Sequence, residues 1–207
     1  IHLKESFMLK DIKFAFIRTP HWEDYTDIST KVEIENFISY LKKSNINVSE
    51  VNINDLIKEA SDIHTQLSGF EFKRSISTER INHFNELSEI LRKGRLSEGN
   101  KLTLNGYREL QRRLKFIRLK IDEKLKNFHC ILTPSAPGEA LKGLEFTGSP
   151  IFNTVWTLTG MPAITLPLFK GKNNLPIGIQ IICHLNEDEF LLKTSKMILE
   201  LVNQNEK

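Results

Sequence analysis

The sequence predicts an α/β protein: one mixed β-sheet covered by helices. Three observations carry that prediction. Short apolar runs bounded by Pro or Gly recur at residues 130–132, 163–166 and 177–182, which is how buried strands are punctuated. A strand-like run, a helix-period run and a second strand-like run follow one another over residues 11–53, the order of a βαβ unit with a parallel strand pair. Long stretches with apolar residues at helical spacing separate these two groups of strands.

Residues 11–17 alternate apolar and polar, become fully apolar, and end at Thr19-Pro20; this is the first strand, centred on 12–17. His21-Trp22 and residues 24–27 read as a loop. Ser29 or Thr30 caps the next helix, with Glu33 placed to complete a capping box from Thr30. Val32, Ile34, Phe37, Ile38 and Leu41 recur at helical spacing, and Lys42 and Lys43 sit at the negative end. Residues 46–53 form the second strand through Val48, Val51 and Ile53. Residues 54–67 read as a helix capped at Asn54 or Asp55. Residues 78–92 read as another, with Ile81, Phe84, Leu87, Ile90 and Leu91 apolar. Residues 95–100 are a polar, Gly-containing break. The longest helix runs over 103–128, with Leu110, Leu114, Ile117, Ile121 and Leu125 along one face.

Pro134 stops the third strand, residues 130–133. A segment studded with Gly and Pro then runs over 134–161, closed by a short helix at 153–159. Loops of that length in a compact domain usually carry function or cover something. The last two strands, 163–166 and 177–182, pair antiparallel across the polar turn at 170–174. Residues 187–202 form the last helix, which buries Phe190, Leu191, Ile198 and Leu201 and has Asp188 near its positive end. No repeat, low-complexity segment or linker divides the chain, so residues 1–207 are read as a single α/β domain or part of one.

Composition excludes several classes. The 207 residues suffice for one domain with a real core. The 29 Lys and Arg nearly balance the 26 Asp and Glu, which argues against an obligate nucleic-acid binder. No apolar run approaches the length of a membrane span, and residues 1–5 lack the pattern of a signal peptide. The chain opens on Ile rather than Met, as a partial sequence would. Cys130 and Cys183 fall in buried strands and are too few for a disulfide framework, so a reducing, cytoplasmic location is expected.

The charged and titratable groups give little by pattern. Eight cations crowd the helix over 103–128, from Arg108 and Arg112 to Lys124 and Lys126. With Glu109, Asp122 and Glu123 interleaved, they read as the solvated side of an amphipathic helix rather than a phosphate surface. No pair among His2, His21, His64, His83, His129 and His184 has the one-turn spacing of a helical metal site, so no metal is expected. His129 and Cys130 are adjacent on a strand and point to opposite faces, which rules them out as a dyad together.

Six short strings carry a resemblance. They are Leu132-Thr133-Pro134, Gly148-Ser149-Pro150-Ile151-Phe152-Asn153, Trp156-Thr157, Gly160-Met161-Pro162-Ala163, Leu166-Pro167 and Pro176-Ile177-Gly178-Ile179-Gln180. In this order and spacing the chain resembles the C-terminal part of the amidase signature family, serine hydrolases that cleave amide bonds. The likeness is sharpest over 127–201 and looser over 11–126. It implies a fold that is the C-terminal part of the amidase signature fold. It also implies a triad of Ser, a second Ser preceded by a cis peptide bond, and Lys. This sequence holds no Gly-Gly-Ser-Ser-type run, so no catalytic residue is expected in it; the chain is expected to be the later part of an amidase. The resemblance implies no metal or organic cofactor. The partners it implies are a small-molecule amide substrate and the N-terminal half of the fold, with no nucleic acid and no membrane; a homodimer is left open.

The family likeness places the segment at 133–159 over the active site. Thr147, Phe152 and Trp156 mix large flat surfaces with a hydroxyl and are the candidate substrate-binding residues. The alternative, that Phe152 and Trp156 only anchor a long loop in the core, stays open. Gly143, Gly148 and Gly160 read as backbone-geometry glycines rather than a phosphate cradle. Gln180, in an otherwise apolar strand, must be hydrogen-bonded and is read as a tie between the sheet and an adjoining loop; Gly178 lets another backbone approach. The tRNA-dependent amidotransferase A subunit has an Asn-Leu-Ala-Gly-type approach to the Pro-Ala motif. Here Asn153-Thr154-Val155-Trp156-Thr157-Leu158-Thr159-Gly160 stands there, which resembles a stand-alone amidase, or the amidase half of an allophanate hydrolase, more closely. A reading of a different class is a non-catalytic α/β binding or scaffold protein derived from the fold.

Overall fold

Strand alternation decides the architecture. A computed structural model describes residues 7–205. Among the described residues five strands form one mixed sheet in the order β2-β1-β3-β5-β4. These are β1 (Lys13–Phe16), β2 (Asn47–Glu50), β3 (Cys130–Pro134), β4 (Ala163–Lys170) and β5 (Pro176–Cys183). β1 pairs in parallel with β2, Phe14 opposite Val48, and with β3, Phe14 opposite Cys130. β5 pairs antiparallel with both β3 and β4, so that Gln180 lies opposite Thr133 on one side and Thr165 on the other. The mixed sheet, the parallel first pair and the antiparallel last pair are those the sequence predicts.

Because successive side chains point to opposite faces, each inner strand feeds two cores. Phe14, Phe16, Cys130, Leu132, Ile179 and Ile181 face one side. There α2 (Ile28–Lys43) covers them with Ile34, Phe37, Ile38 and Leu41, and α9 (Asp188–Asn205) with Leu191 and Ile198. Ala15, Ile17, Ile131 and Ile182 face the other side. That face is closed by α3 (Asn54–Ser75), α7 (Leu104–Leu125) and α8 (Thr154–Thr159), which bring Ile57, Ile63, Leu67, Leu114, Ile117, Ile121 and Trp156. Each Leu, Ile or Phe side chain among them, fully buried, contributes roughly 1.5–3 kcal/mol over its exposed state.

Local chemistry sets the element ends. Ser44 N–H donates to the Tyr40 carbonyl, and Asn45, at φ 59, turns the chain from α2 toward β2. The Thr103 hydroxyl caps α7 by accepting from Gly106 N–H at 3.1 Å. In β4 the register slips between Leu166 and Phe169, where Pro167 has no N–H to give.

Several expectations are corrected. The loop at 21–27 contains one helical turn, α1 (Trp22–Tyr25), because Trp22 is buried and anchors it. α2 starts at Ile28, ahead of Ser29 and Thr30; Asp27 holds the cap position and its N–H donates to the Pro137 carbonyl. Thr30 is therefore buried inside the helix, while Val32 is 51 % exposed. β2 is shorter than 46–53, since Ile53 turns into the opposite core. α3 runs on to Ser75 instead of stopping near Leu67. The polar break at 95–100 is a helix, α6 (Arg95–Lys101), against which α3 packs. Gly69 and Gly99 allow this: a Cβ on Gly99 would run into the Gly69 carbonyl oxygen. The single helix expected over 78–92 is three pieces: α4 (Ser77–Asn82), a 3-10 turn (Phe84–Glu86) and α5 (Glu89–Lys93). Its apolar stripe meets no core, with Ile81 and Ile90 68 % and 82 % exposed, and a short helix without tertiary packing is marginal. On α9, Phe190 and Leu201 are partly rather than fully buried.

Candidate functional site

The segment after β3 is tied to β5 at both ends. The buried Gln180 side chain donates from Nε2 to the Pro134 carbonyl at 2.7 Å and to the Phe152 carbonyl at 2.9 Å. One amide thereby joins the start of the segment to its end, the tie expected of a buried Gln. Ser135 Oγ donates to the Gly178 carbonyl at 2.9 Å, and Asn153 Nδ2 donates to the Ser135 carbonyl at 3.1 Å. Gly178 is needed for this approach, since a Cβ there would lie 2.7 Å from Ser135 Oγ and 2.5 Å from Thr165 Cγ2. Farther along, the Glu139 carboxylate accepts from the backbone N–H groups of Asn173 and Leu175, binding the segment to the β4–β5 turn.

Between these ties the segment stands out from the body. Leu141, Leu144 and Phe146 are exposed, and Thr147 with them. The three candidate substrate residues therefore part company. Phe152 is fully buried beside the Gln180 tie. Trp156 is 2 % exposed and packs in the core with Leu114, Ile117 and Ile182. The Trp156 Nε1 group is buried with no hydrogen-bond partner. α8 ends at Gly160 in the left-handed region, φ 73, whose N–H donates to the Trp156 carbonyl.

The residues that follow Trp156 on α8 open onto a cleft of about 870 Å³ between α3 and α7. Leu67, Leu114 and Leu158 give it apolar walls. Its polar lining includes His64 of α3, Arg95 of α6 and Arg108, Arg112, Lys115 and Arg118 of α7. None of Thr147, Phe152 and Trp156 lines it; Trp156 lies one residue before the lining residue Thr157. Arg118 is the most fixed of the cations. Its Nη2 donates to the Leu158 carbonyl at 2.9 Å, and its Nε is buried without a partner. Burial first, then the nearby Arg95, push the His64 pKa below the usual histidine value, against an opposing pull from Glu71. Glu71 itself accepts from the Tyr107 hydroxyl at 2.8 Å, a bond that raises the phenol above its usual range.

Of the eight cations that the sequence presents as one crowd, six fall into two groups. Arg113 and Lys120 are ion-paired, with Glu59 and Glu123. Arg108, Arg112, Lys115 and Arg118 line the cleft, and among the described residues none of them has a carboxylate within ion-pair distance. The signal was present as spacing: positions 108, 112, 115 and 118 share one helix face.

Other reactive groups are held in structural roles. Cys130 and Cys183 face each other across β3 and β5 with sulfurs 3.1 Å apart, and burial drives the Cys130 thiol well above its usual pKa, away from thiolate chemistry. His129 Nδ1 accepts the Lys13 N–H at 2.8 Å. Among the described residues no group of three or more His, Cys, Asp or Glu is placed to hold a metal ion, and no helix is long and apolar enough to cross a membrane.

Comparison with known proteins places this geometry. The chain is 25% identical over 206 residues to the glutamyl-tRNA(Gln) amidotransferase A subunit of Ehrlichia chaffeensis, covering 86% of this chain and 42% of that protein. It is 32% identical over 103 residues to the protein of the same name from Pelagibacter ubique, covering 46% of this chain and 21% of that one. Among solved structures, an amidase superposes with a TM-score of 0.81 at 20% identity, over 95% of this chain and 46% of its own. The glutamyl-tRNA(Gln) amidotransferase A subunit of Thermotoga maritima superposes at 0.68 and 23%, over 89% and 41%. The urea amidolyase of K. lactis does so at 0.74 and 16%, over 93% and 12%. The chain thus spans less than half the length of these relatives. The Amidase family model matches residues 4–192, nearly the whole sequence, and the chain belongs to the Amidase family.

Proposed function

We propose that this chain is the C-terminal portion of an amidase that hydrolyses a carboxylic amide to the acid and ammonia or an amine. The observation that carries the reading is the family match across residues 4–192 in a chain less than half as long as its relatives. The Ser–cis-Ser–Lys triad lies outside these residues. In that chemistry the Lys accepts a proton from the bridging Ser, which takes one from the nucleophilic Ser as that Ser attacks the amide carbonyl; backbone N–H groups hold the oxyanion, and the proton returns by the same relay to the leaving amine. The amine leaves and water releases the acid, with no metal or organic cofactor. The residues described here supply part of the sheet, the covering helices and one wall of the substrate pocket. Thr147 contacts substrate from the exposed segment, while Phe152 and Trp156 back the wall from the core. The protein works in the cytoplasm.

The test is turnover. The full-length protein should release ammonia from simple aliphatic or aromatic amides, and the 207-residue chain by itself should not. Turnover by the isolated chain, abolished by a serine-directed inhibitor, sinks the placement of the triad. A folded full-length protein inert on the whole panel sinks the hydrolase reading. A second reading rests on the relatives' names, which are those of a glutamyl-tRNA(Gln) amidotransferase A subunit. It expects the full-length protein to act only with partner subunits and glutamyl-tRNA(Gln), and to be silent on simple amides alone.

A further inference from the structure

We propose that the cleft between α3 and α7 selects amides carrying a carboxylate, an inference about substrate class that rests on the amidase reading above. Four cations of α7 share its lining with Arg95, and the described residues offer them no carboxylate partner. Like charges three and four residues apart on one helix repel one another. Outside the cleft, Arg113 and Lys120 are each offset by a Glu. A concave surface on which five cations outnumber one carboxylate, Glu71, concentrates anionic ligands. Arg118 is already oriented by the bond from its Nη2 to the Leu158 carbonyl, which leaves the donors of Nη1 for a carboxylate.

The rest of the lining suits a small organic anion. Leu67, Leu114 and Leu158 can cover an aliphatic stem, and about 870 Å³ lies in the range of small-molecule pockets. Glu71 sits in the same lining and offsets part of the positive charge, and burial with the nearby Arg95 lowers the His64 pKa. α8 joins this cleft to the segment tied by Gln180, since Thr157 and Leu158 line it and Asn153 precedes the helix. An anionic end held against α7 would thus leave the amide end free to reach the rest of the pocket.

The experiment compares succinamate with 4-methylpentanamide, whose isopropyl end is a neutral near-isostere of the carboxylate, on the full-length protein. Calorimetry at about 20 mM salt, where screening is weak, reads affinity, and ammonia release reads turnover separately. Succinamate should bind about tenfold more tightly, the scale of one charge-assisted contact. Arg112→Gln/Arg118→Gln should reduce that advantage to about twofold, and Arg113→Gln, whose cation is paired with Glu59, should keep it. Lys115→Gln, an exposed position, gives the same reading if the double variant fails to fold. Equal affinities for the two amides overturn the proposal, and turnover of both in that case leaves the hydrolase reading standing. A succinamate advantage lost in the variants, without turnover of either amide, keeps the cleft and removes the hydrolase. Binding of tRNA that depends on Arg112, with no preference for succinamate, makes this a nucleic-acid face and also overturns the proposal.

Discussion

The two faces of the sheet are built from the same strands and differ in how they end. Under α2 and α9 the core is sealed: Phe14, Phe16, Ile34, Leu41, Ile181 and Ile198 pack together with exposures of 0–2 %. Under α3, α7 and α8 an equally buried layer, from Ile57 to Trp156, opens at its outer edge onto the cation-lined cleft. The alternation of β1, β3 and β5 cannot by itself produce that difference, because it supplies both faces with apolar side chains. The helices produce it. α2 and α9 lay apolar stripes flat on the sheet, whereas α3 and α7 meet it with one stripe and hold the cleft with the next. One face contributes stability, and the other contributes stability and the cleft proposed to hold substrate.

The largest expected effects test whether the faces are equivalent as cores. Phe14→Ala and Trp156→Ala should each cost about 3–5 kcal/mol in denaturant unfolding, because both side chains are buried to within 2 %. Stability therefore does not separate the faces, but substrate ranking does. Trp156→Phe keeps most of the bulk and should change the order of amides by kcat/KM. A lowered Tm with an unchanged order would reduce Trp156 to a core anchor. Next in size is Gln180→Leu, which leaves the Pro134 and Phe152 carbonyls without their donor, at about 1–3 kcal/mol for each that stays buried. Limited proteolysis should then cut the segment at 135–151 sooner than β4 or β5. Equal cutting rates in the variant and the parent would show that the tie is dispensable.

A pH-dependent effect follows from His129, just before the central strand β3. Burial holds its folded pKa below the ordinary value, with the positive charge of Lys13 adding to the shift, and its Nδ1 accepts the Lys13 N–H. The unfolded chain therefore takes up the proton first. The stability His129 contributes is present above about pH 6.5 and declines as pH falls through that value toward the lower folded pKa. His129→Phe should cost about 1–3 kcal/mol at neutral pH through the unpaired Lys13 N–H, and should flatten the acid limb of a Tm-versus-pH curve. His21 and His64, also shifted down by burial, keep part of that slope. An unaltered slope in the variant would remove His129 from the account. The smallest effect is expected at Gly160, where Ala would have to adopt φ 73 at a cost of roughly 1–2 kcal/mol. A Cβ there meets nothing closer than the Arg118 guanidinium at 3.7 Å, so a much larger loss would mean that α8 moves.

What the sequence made legible was whatever depends on local period. Strands β3 and β5, the parallel first pair, the long face of α7 and the Gln180 tie all follow from residues near one another in the chain or from one buried polar group. The region at 77–101 did not, because helical spacing without a partner surface makes no stable helix, and the Gly99 break is a helix contact visible only with Gly69 beside it. The cleft was only half legible: spacing puts residues 108, 112, 115 and 118 on one face of α7, but does not show which cations are paired. Arg112 and Arg113 are adjacent and chemically identical. Only the fold brings Glu59, 54 positions away, to one of them and leaves the other in the cleft lining. Trp156 stood out in the sequence as a large flat side chain in a long segment, but the depth at which it is buried depends on α3 and α7 closing over it.

Hydrogen exchange of the full-length protein, with and without saturating succinamate, tests the division between the faces most directly. Exchange should slow in the last turns of α3, along residues 108–118 of α7 and in α8, while α2 and α9 exchange as before. Protection spread over α2 and α9, or no protection at saturation, would contradict the account.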